Sequence, residues 1–311
     1  MNKWIRIFNQ NRKNIIIGVV AIIFLIVLVQ ILNQLVGMQN RNNQNKINEQ
    51  VENKLPTTSI ITGETVDTKI TQENVNTIEE FINYCNQQEV RQAYDMLTND
   101  CKEELFPTEQ EFVKGYYNLI FSEKRRYRLD NYKNSSTSYT YEVTFYTDIL
   151  STGQLSQTNS YTDYISLNKN ANGKININSF INRIEMEKEN ERDGIKVKVL
   201  GKTIYKDYES YEIEVENNTD KTILLDTRQK NKTIYAIGSD NATYTALRNE
   251  IPSSWFELDA NHSRTYTIKF NKRYNPLVRI KAIVFTDIIE DYEQYKLNPD
   301  KSNRVKIQVE F

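Results

Sequence analysis

Residues 138–146 read Ser138-Tyr139-Thr140-Tyr141-Glu142-Val143-Thr144-Phe145-Tyr146. Tyr139, Tyr141, Val143 and Phe145 fall on one side of an extended chain and Thr140, Glu142 and Thr144 on the other, the alternation of a half-buried strand. Tyr161 to Leu167 and Gly173 to Phe180 repeat it, and Tyr127 to Tyr132 supplies a fourth strand. Turns are expected at Asp148 to Gly153 and at Asn170-Ala171-Asn172-Gly173, whose closing Asn-Gly is a hairpin signal.

Upstream the period is helical. Thr77 and Glu80 have capping-box spacing, and Ile78, Phe81, Ile82 and Cys85 follow at i, i+3, i+4 and i+7. Val90, Ala93, Tyr94 and Leu97 repeat that face before it fades through Thr98-Asn99-Asp100. After Pro107, a second box at Thr108 and Glu111 introduces Phe112, Tyr116, Leu119 and Ile120. Three helices packed on a four-stranded antiparallel sheet are expected over residues 74–181, an α+β arrangement.

Residues 182–193 are dense in charge, with Glu185/Lys188 and Glu189/Arg192 at i, i+3, and read as a solvated helix or strut between domains. Over residues 194–311, strands are expected at Ile195 to Leu200, Tyr208 to Glu216, Thr222 to Asp226, Lys232 to Ile237, Thr243 to Leu247, Thr265 to Phe270, Leu277 to Thr286 and Arg304 to Phe311. Short strands between Asn, Asp and Gly turns predict an all-β sandwich, with Trp255 and Phe256 plugging its end.

Ile15 to Val36 is predominantly apolar, unbroken from Ile15 to Val29, and carries no charge, about 30 Å as a helix, which fits a membrane span. Lys3, Arg6, Arg12 and Lys13 precede it without an acidic residue, so residues 1–14 are expected in the cytoplasm and the C-terminal domains outside. No Ala-x-Ala-like site follows, which favours an anchor over a cleaved leader. Residues 37–73, rich in Asn, Gln, Thr and Lys, read as a flexible stalk, in which Ser59-Ile60-Ile61-Thr62 is a β-prone patch able to dock on the next domain.

The chain has 40 basic and 41 acidic residues, and the part beyond the span carries about −5, which argues against nucleic acid as a partner. Abundant Asn, Ile, Lys and Tyr with scarce Gly and Pro points to an AT-rich coding sequence and a cell with a single membrane. Cys85 and Cys101 lie on the outer side, where a disulfide persists if formed. On a helical hairpin they stand about 15 Å apart, so a bridge needs another geometry and Cys85 reads as a buried apolar residue.

Residues 74–181 resemble the nuclear transport factor 2-like superfamily through Thr77-Ile78-Glu79-Glu80-Phe81-Ile82-Asn83-Tyr84-Cys85, Ala93-Tyr94-Asp95-Met96-Leu97 and Phe112 to Ile120, although all helices here precede all strands. That resemblance implies helices in the concave face of a bent sheet, with Phe81, Tyr116, Tyr139 and Phe145 lining any pocket. Residues 194–311 are similar to immunoglobulin-like modules of Gram-positive surface proteins through Tyr211 to Thr219 and Ser263 to Phe270, without the Cys…Trp…Cys core of antibody domains. By domain order alone, the chain resembles the membrane scaffold proteins of type IV secretion and conjugation channels.

Catalytic chemistry is sparsely supplied. His262 is the sole histidine and falls in an expected turn, with no second imidazole for a metal. Gly-rich phosphate loops, Cys-x-x-Cys, His-Glu-x-x-His and Gly-x-Ser-x-Gly are all missing. Asp148 and Asp163, near tyrosine-rich strands, are the carboxylates an acid–base site in the concavity would use. Lys124, Arg126 and Arg128 share a strand face and form a candidate patch for an anionic partner such as wall polymer or lipid headgroup, against the plainer reading of a solvated edge. Asp287, Glu290, Asp291 and Glu293 lack calcium-loop spacing. Asn134, Asn217, Asn231, Asn241 and Asn261 each open an Asn-x-Ser/Thr triplet, frequent by chance in such a composition. The expectation is an anchored envelope protein, contacting membrane lipid through its span and an envelope protein or wall partner through its outer domains, with no cofactor or metal and no enzymatic role. The rival is a small-molecule-binding protein or acid–base enzyme using the concavity.

Overall fold

The computed structural model describes residues 55–147, 160–170, 173–230 and 232–311. The expected tail, span and first part of the stalk lie outside the described residues, as do Asn231 and the whole Asp148 to Gly153 turn. Among the described residues no helix is long and apolar enough to cross a membrane. The fold over residues 55–311 is α+β with antiparallel sheets.

Helix α1 spans Thr68–Asn86, nine residues earlier than expected. Its cap is Asp67, whose carboxylate accepts from the backbone N–H of Lys69 at 2.8 Å and from that of Ile70. Thr77 sits within the helix and donates to the Glu73 carbonyl at 3.0 Å, so the expected capping box with Glu80 does not form. The early turns escape periodicity because polar Thr71 occupies a core position ahead of Val75, Ile78, Phe81, Ile82 and Cys85. The expected stalk is therefore ordered from Leu55. Its Ser59–Thr62 patch docks on the sheet, Ile60 N–H donating to Asn131 O at 2.8 Å and Ser59 Oγ to Tyr132 O at 2.8 Å.

Helix α2 is Val90–Asp95, reached through Gln88 at φ 63°. The expected fade at Thr98-Asn99-Asp100 is instead the start of α3, Asn99–Leu105, where Thr98 Oγ1 accepts from Cys101 N–H at 3.0 Å. In α4, Glu109–Phe112 continues through a π turn over Val113–Tyr117 into Asn118–Ile120. Its capping box is formed as expected: Thr108 Oγ1 accepts from Glu111 N–H at 3.2 Å and Glu111 accepts from Thr108 N–H at 2.9 Å. The π turn brings Tyr117 into the core and leaves Leu119 exposed.

Strands β1 (Arg125–Asn134), β2 (Ser138–Thr147), β3 (Tyr161–Asn168) and β4 (Ile175–Asn176) form one antiparallel sheet in that order. Tyr127 faces Phe145 across β1 and β2, and Tyr141 faces Ile165 across β2 and β3. The strand expected over Gly173 to Phe180 is cut to two residues because Asn178 and Ser179 take φ of 57° and 63°.

The charged run is strand rather than helix or linker. β5 (Phe180–Arg192) pairs with β6 (Ile195–Tyr205) across an Asp193-Gly194 turn, both residues at positive φ. Its charges decorate a sheet edge, which discourages pairing with another chain, and they meet across the hairpin: Lys196 with Glu189 at 3.0 Å and Lys198 with Glu187 at 3.1 Å. The β5–β6 hairpin also joins two cores. Phe180 and Tyr205 pack edge to face at 5.7 Å within the core shared by the helices and first sheet, while Val197 and Val199 enter the next.

The remaining strands are β7 (Glu209–Asn217), β8 (Ile223–Leu224), β9 (Ile234–Gly238), β10 (Thr243–Thr245), β11 (Glu257–Leu258), β12 (His262–Phe270), β13 (Ile280–Ile289) and β14 (Arg304–Glu310), with a short helix α5 at Tyr292–Leu297. Each of the eight expected strands has a counterpart. One sheet runs β12-β7-β6-β5 and the other β10-β9-β13-β8-β11 with β14 beside β13, and their inner faces share one apolar core. Phe256 is buried in it, whereas Trp255 remains exposed.

Candidate functional site

The resemblance places a pocket between the helices and the first sheet. Phe81, Tyr116 and Phe145 are buried there and Tyr139 is half-buried. Phe81 lies 6.3 Å from Tyr116 and 6.5 Å from Phe112, ring centroid to centroid, and Phe112 stacks on Tyr116 at 5.8 Å. Aromatic packing of this kind fills space and stabilises by burial. These side chains are core.

Asp163, fully buried, projects into the same core. Oδ2 accepts from the Tyr116 hydroxyl at 2.7 Å and from Asn178 N–H at 2.9 Å, and Oδ1 accepts from Tyr164 N–H at 2.6 Å and Ser179 N–H at 2.9 Å. Burial pushes its pKa up against the pull of those donors. The carboxylate therefore pins the left-handed pair that turns the chain from β4 into β5, and every lone pair facing that turn is occupied.

Lys124, Arg126 and Arg128 are all exposed and alternate with half-buried Arg125, Tyr127 and Leu129, as the spacing predicts. Arg128 pairs with Asp130 at 2.9 Å. The acidic residues near the C-terminus do not converge. Asp287 is buried between Lys230 at 3.3 Å and Arg304 at 2.6 Å, whereas Asp291 caps α5 and pairs with Lys221 at 3.0 Å. The Gln294 N–H and then Lys221 hold the Asp291 carboxyl below its usual range. Among the described residues no group of His, Cys, Asp and Glu is arranged to hold a metal ion. His262 opens β12 rather than lying in a turn, exposed, with Nδ1 2.8 Å from Ala260 O. Cys85 and Cys101 are both free and buried, and burial pushes the Cys101 thiol up to about 12.

Of the asparagines that open Asn-x-Ser/Thr triplets, Asn134 and Asn217 are buried and Asn241 and Asn261 exposed. Asn217 Nδ2 donates to three carbonyls, of Lys221, Leu258 and Asp259, at 2.8–3.1 Å and so ties a loop rather than presenting an acceptor.

Concave space of another kind lies where the two cores meet. A cleft of about 840 Å³ runs between the end of β1, the first half of β5, the end of β6, and residues 274–281. At its floor Glu209 and Lys272 form a buried ion pair, 2.6 Å from Nζ to Oε1, and the Tyr211 hydroxyl donates to Glu209 Oε2 at 2.7 Å. Lys133, also buried, donates to the Tyr274 carbonyl at 2.7 Å and sits 5.6 Å from the Tyr274 ring centre. Lys202 lines the cleft, and burial holds its ammonium below the ordinary lysine pKa against the opposing charge of Glu209.

Sequence patterning misses this cleft for a physical reason. Register shifts between Asn131 and Lys133, between Val199 and Gly201, and between Phe180 and Asn182 reset which side chains point inward. One signal was available: Glu209 has the same parity as Tyr211, Ile213 and Val215, so a carboxylate stands on a core face.

Comparison with protein-family models, curated proteins and solved structures finds no match to this chain.

Proposed function

We propose that the chain is a membrane-anchored, outward-facing binding or scaffolding protein of a Gram-positive-type cell envelope, part of a multiprotein envelope or secretion assembly. The observation that carries this reading is the filled concavity: Phe81, Tyr116 and Phe145 occupy the space in which a nuclear transport factor 2-like enzyme would receive a substrate. The rival reading, a small-molecule or acid–base site in that concavity, needs open space around Asp163, whose oxygens are taken up by four donors. Support also comes from the order of parts, an apolar run ahead of a helix-covered sheet and an immunoglobulin-like sandwich. Outer surfaces then remain for partners, among them the Lys124, Arg126 and Arg128 face and the sandwich edges.

Crosslinking in intact cells followed by mass spectrometry tests it. Recovery of envelope proteins or wall fragments on residues 55–311 is expected, and recovery of cytosolic proteins alone sinks the reading. Protease added outside intact cells should cleave the C-terminal domains.

A further inference from the structure

The cleft between the two cores contains polar groups that the protein leaves unanswered. Asn134 is 7% exposed, yet neither its amide nitrogen nor its oxygen has a partner, and the hydroxyl of Tyr274, 6% exposed, has none. The half-buried Lys202 side chain on the same lining makes no hydrogen bond or ion pair among the described residues. Buried polar groups in folded proteins are nearly always bonded, so two such residues beside a half-buried, unpaired ammonium mark a place where something else completes the set.

The charge around the cleft is set by its floor. Glu209 is already committed to Lys272 through Oε1 and to Tyr211 through Oε2, so it does not neutralise Lys202 as a contact partner. Arg279 and Lys281 add two exposed cations to the lining, Lys281 bonded to Asn241 Oδ1, and the carboxylates other than Glu209 are Glu64, exposed at the rim, and the α-carboxylate of Phe311. Ile184, Ile204, Val278 and Phe311 supply an apolar wall. About 840 Å³ is the size of a small-molecule site.

We propose that this cleft binds a small organic anion, a carboxylate or phosphate held by Lys202, with the enclosed Asn134 amide and Tyr274 hydroxyl turning out from behind the lining to donate to it, its short apolar part lying on Ile184, Ile204 and Phe311. The anionic head gains charge-assisted bonds in a partly desolvated setting, where they are stronger than in water. The site requires neither the membrane placement nor a protein partner, so it stands or falls apart from the envelope reading.

The test is calorimetric titration of the full-length chain in detergent micelles with butyl phosphate, butyrate and, as the neutral counterpart, butanol. Saturable binding of butyl phosphate or butyrate is expected, at least tenfold tighter than butanol, and the tighter of the two identifies the head group. Lys202→Met should weaken that binding at least tenfold and Tyr274→Phe severalfold, while Lys306→Ala leaves it unchanged. Equal binding of butanol, wild-type affinity in Lys202→Met, or no binding by either anion overturns the proposal. Should Lys202→Met fail to fold, acetylation of Lys202 in the wild-type chain decides: shielding by an anion supports the site, and an unaltered rate with both anions sinks it.

Discussion

The Tyr116 hydroxyl and the Asp163 carboxylate, 47 residues apart, meet at 2.7 Å in the core beneath the helices, so α4 is tied to the turn that launches β5. Asp163→Asn replaces an acceptor oxygen with an N–H₂ facing backbone donors, and should cost about 2–4 kcal/mol, measured by urea denaturation. Its pH dependence follows from the raised pKa: the folded state binds the proton more tightly than the unfolded chain, so this group's contribution is largest at low pH and declines as pH rises from the ordinary carboxylate range through the folded value. The gap between wild type and Asp163→Asn should narrow over that interval. A gap that widens with pH contradicts the assignment.

Glu209 and Lys272 form a buried pair whose halves are unequal to lose singly. Glu209→Gln leaves the Lys272 ammonium enclosed without a counter-charge, expected to cost about 3–5 kcal/mol, whereas Glu209→Gln combined with Lys272→Met should recover most of the loss. A double-mutant cycle by chemical denaturation measures it, and additive losses refute the coupling.

Cys85 and Cys101 should be inert to iodoacetamide in the folded chain. Both thiols are enclosed and held protonated by burial, Cys101 up to about 12. Alkylation at pH 8 should be at least ~100-fold slower than in urea, since it must wait for opening of the fold. Mass spectrometry after timed quenching reads this out.

Gly194 turns the β5–β6 hairpin at φ 76°, and a Cβ there meets Thr219 Cγ2 at 3.1 Å. Gly194→Ala should cost about 1–2 kcal/mol, observed as a lowered Tm. A neutral effect would argue that residues 182–193 are the helical strut their spacing suggested.

Much of the architecture is legible in the residues because burial imposes a period. Tyr141, Val143 and Phe145 point inward as their alternation requires, and the sandwich strands from Ile195 to Phe311 lie where patterning sets them. The Thr108–Glu111 box is legible for a similar reason, since both of its bonds are local. What is lost depends on distant partners. Thr71 occupies a core site although it is polar, which hides the first turns of α1, and Thr98 reads as a fading helix when it is the cap of another. The charges of β5 fall at helical spacing, but only β6 and its lysines decide their conformation. The cleft depends on bulges, and a register shift leaves no mark on composition or period.

A thirteen-residue ribbon, Phe180–Arg192, begins in one apolar interior and ends along the rim of the other. Severing the chain at the charged run would strip a wall from each half, so neither half is expected to be expressible alone, and heating should melt both together in one cooperative step. Tension applied to the C-terminus would reach the helices through a paired ladder rather than slack rope.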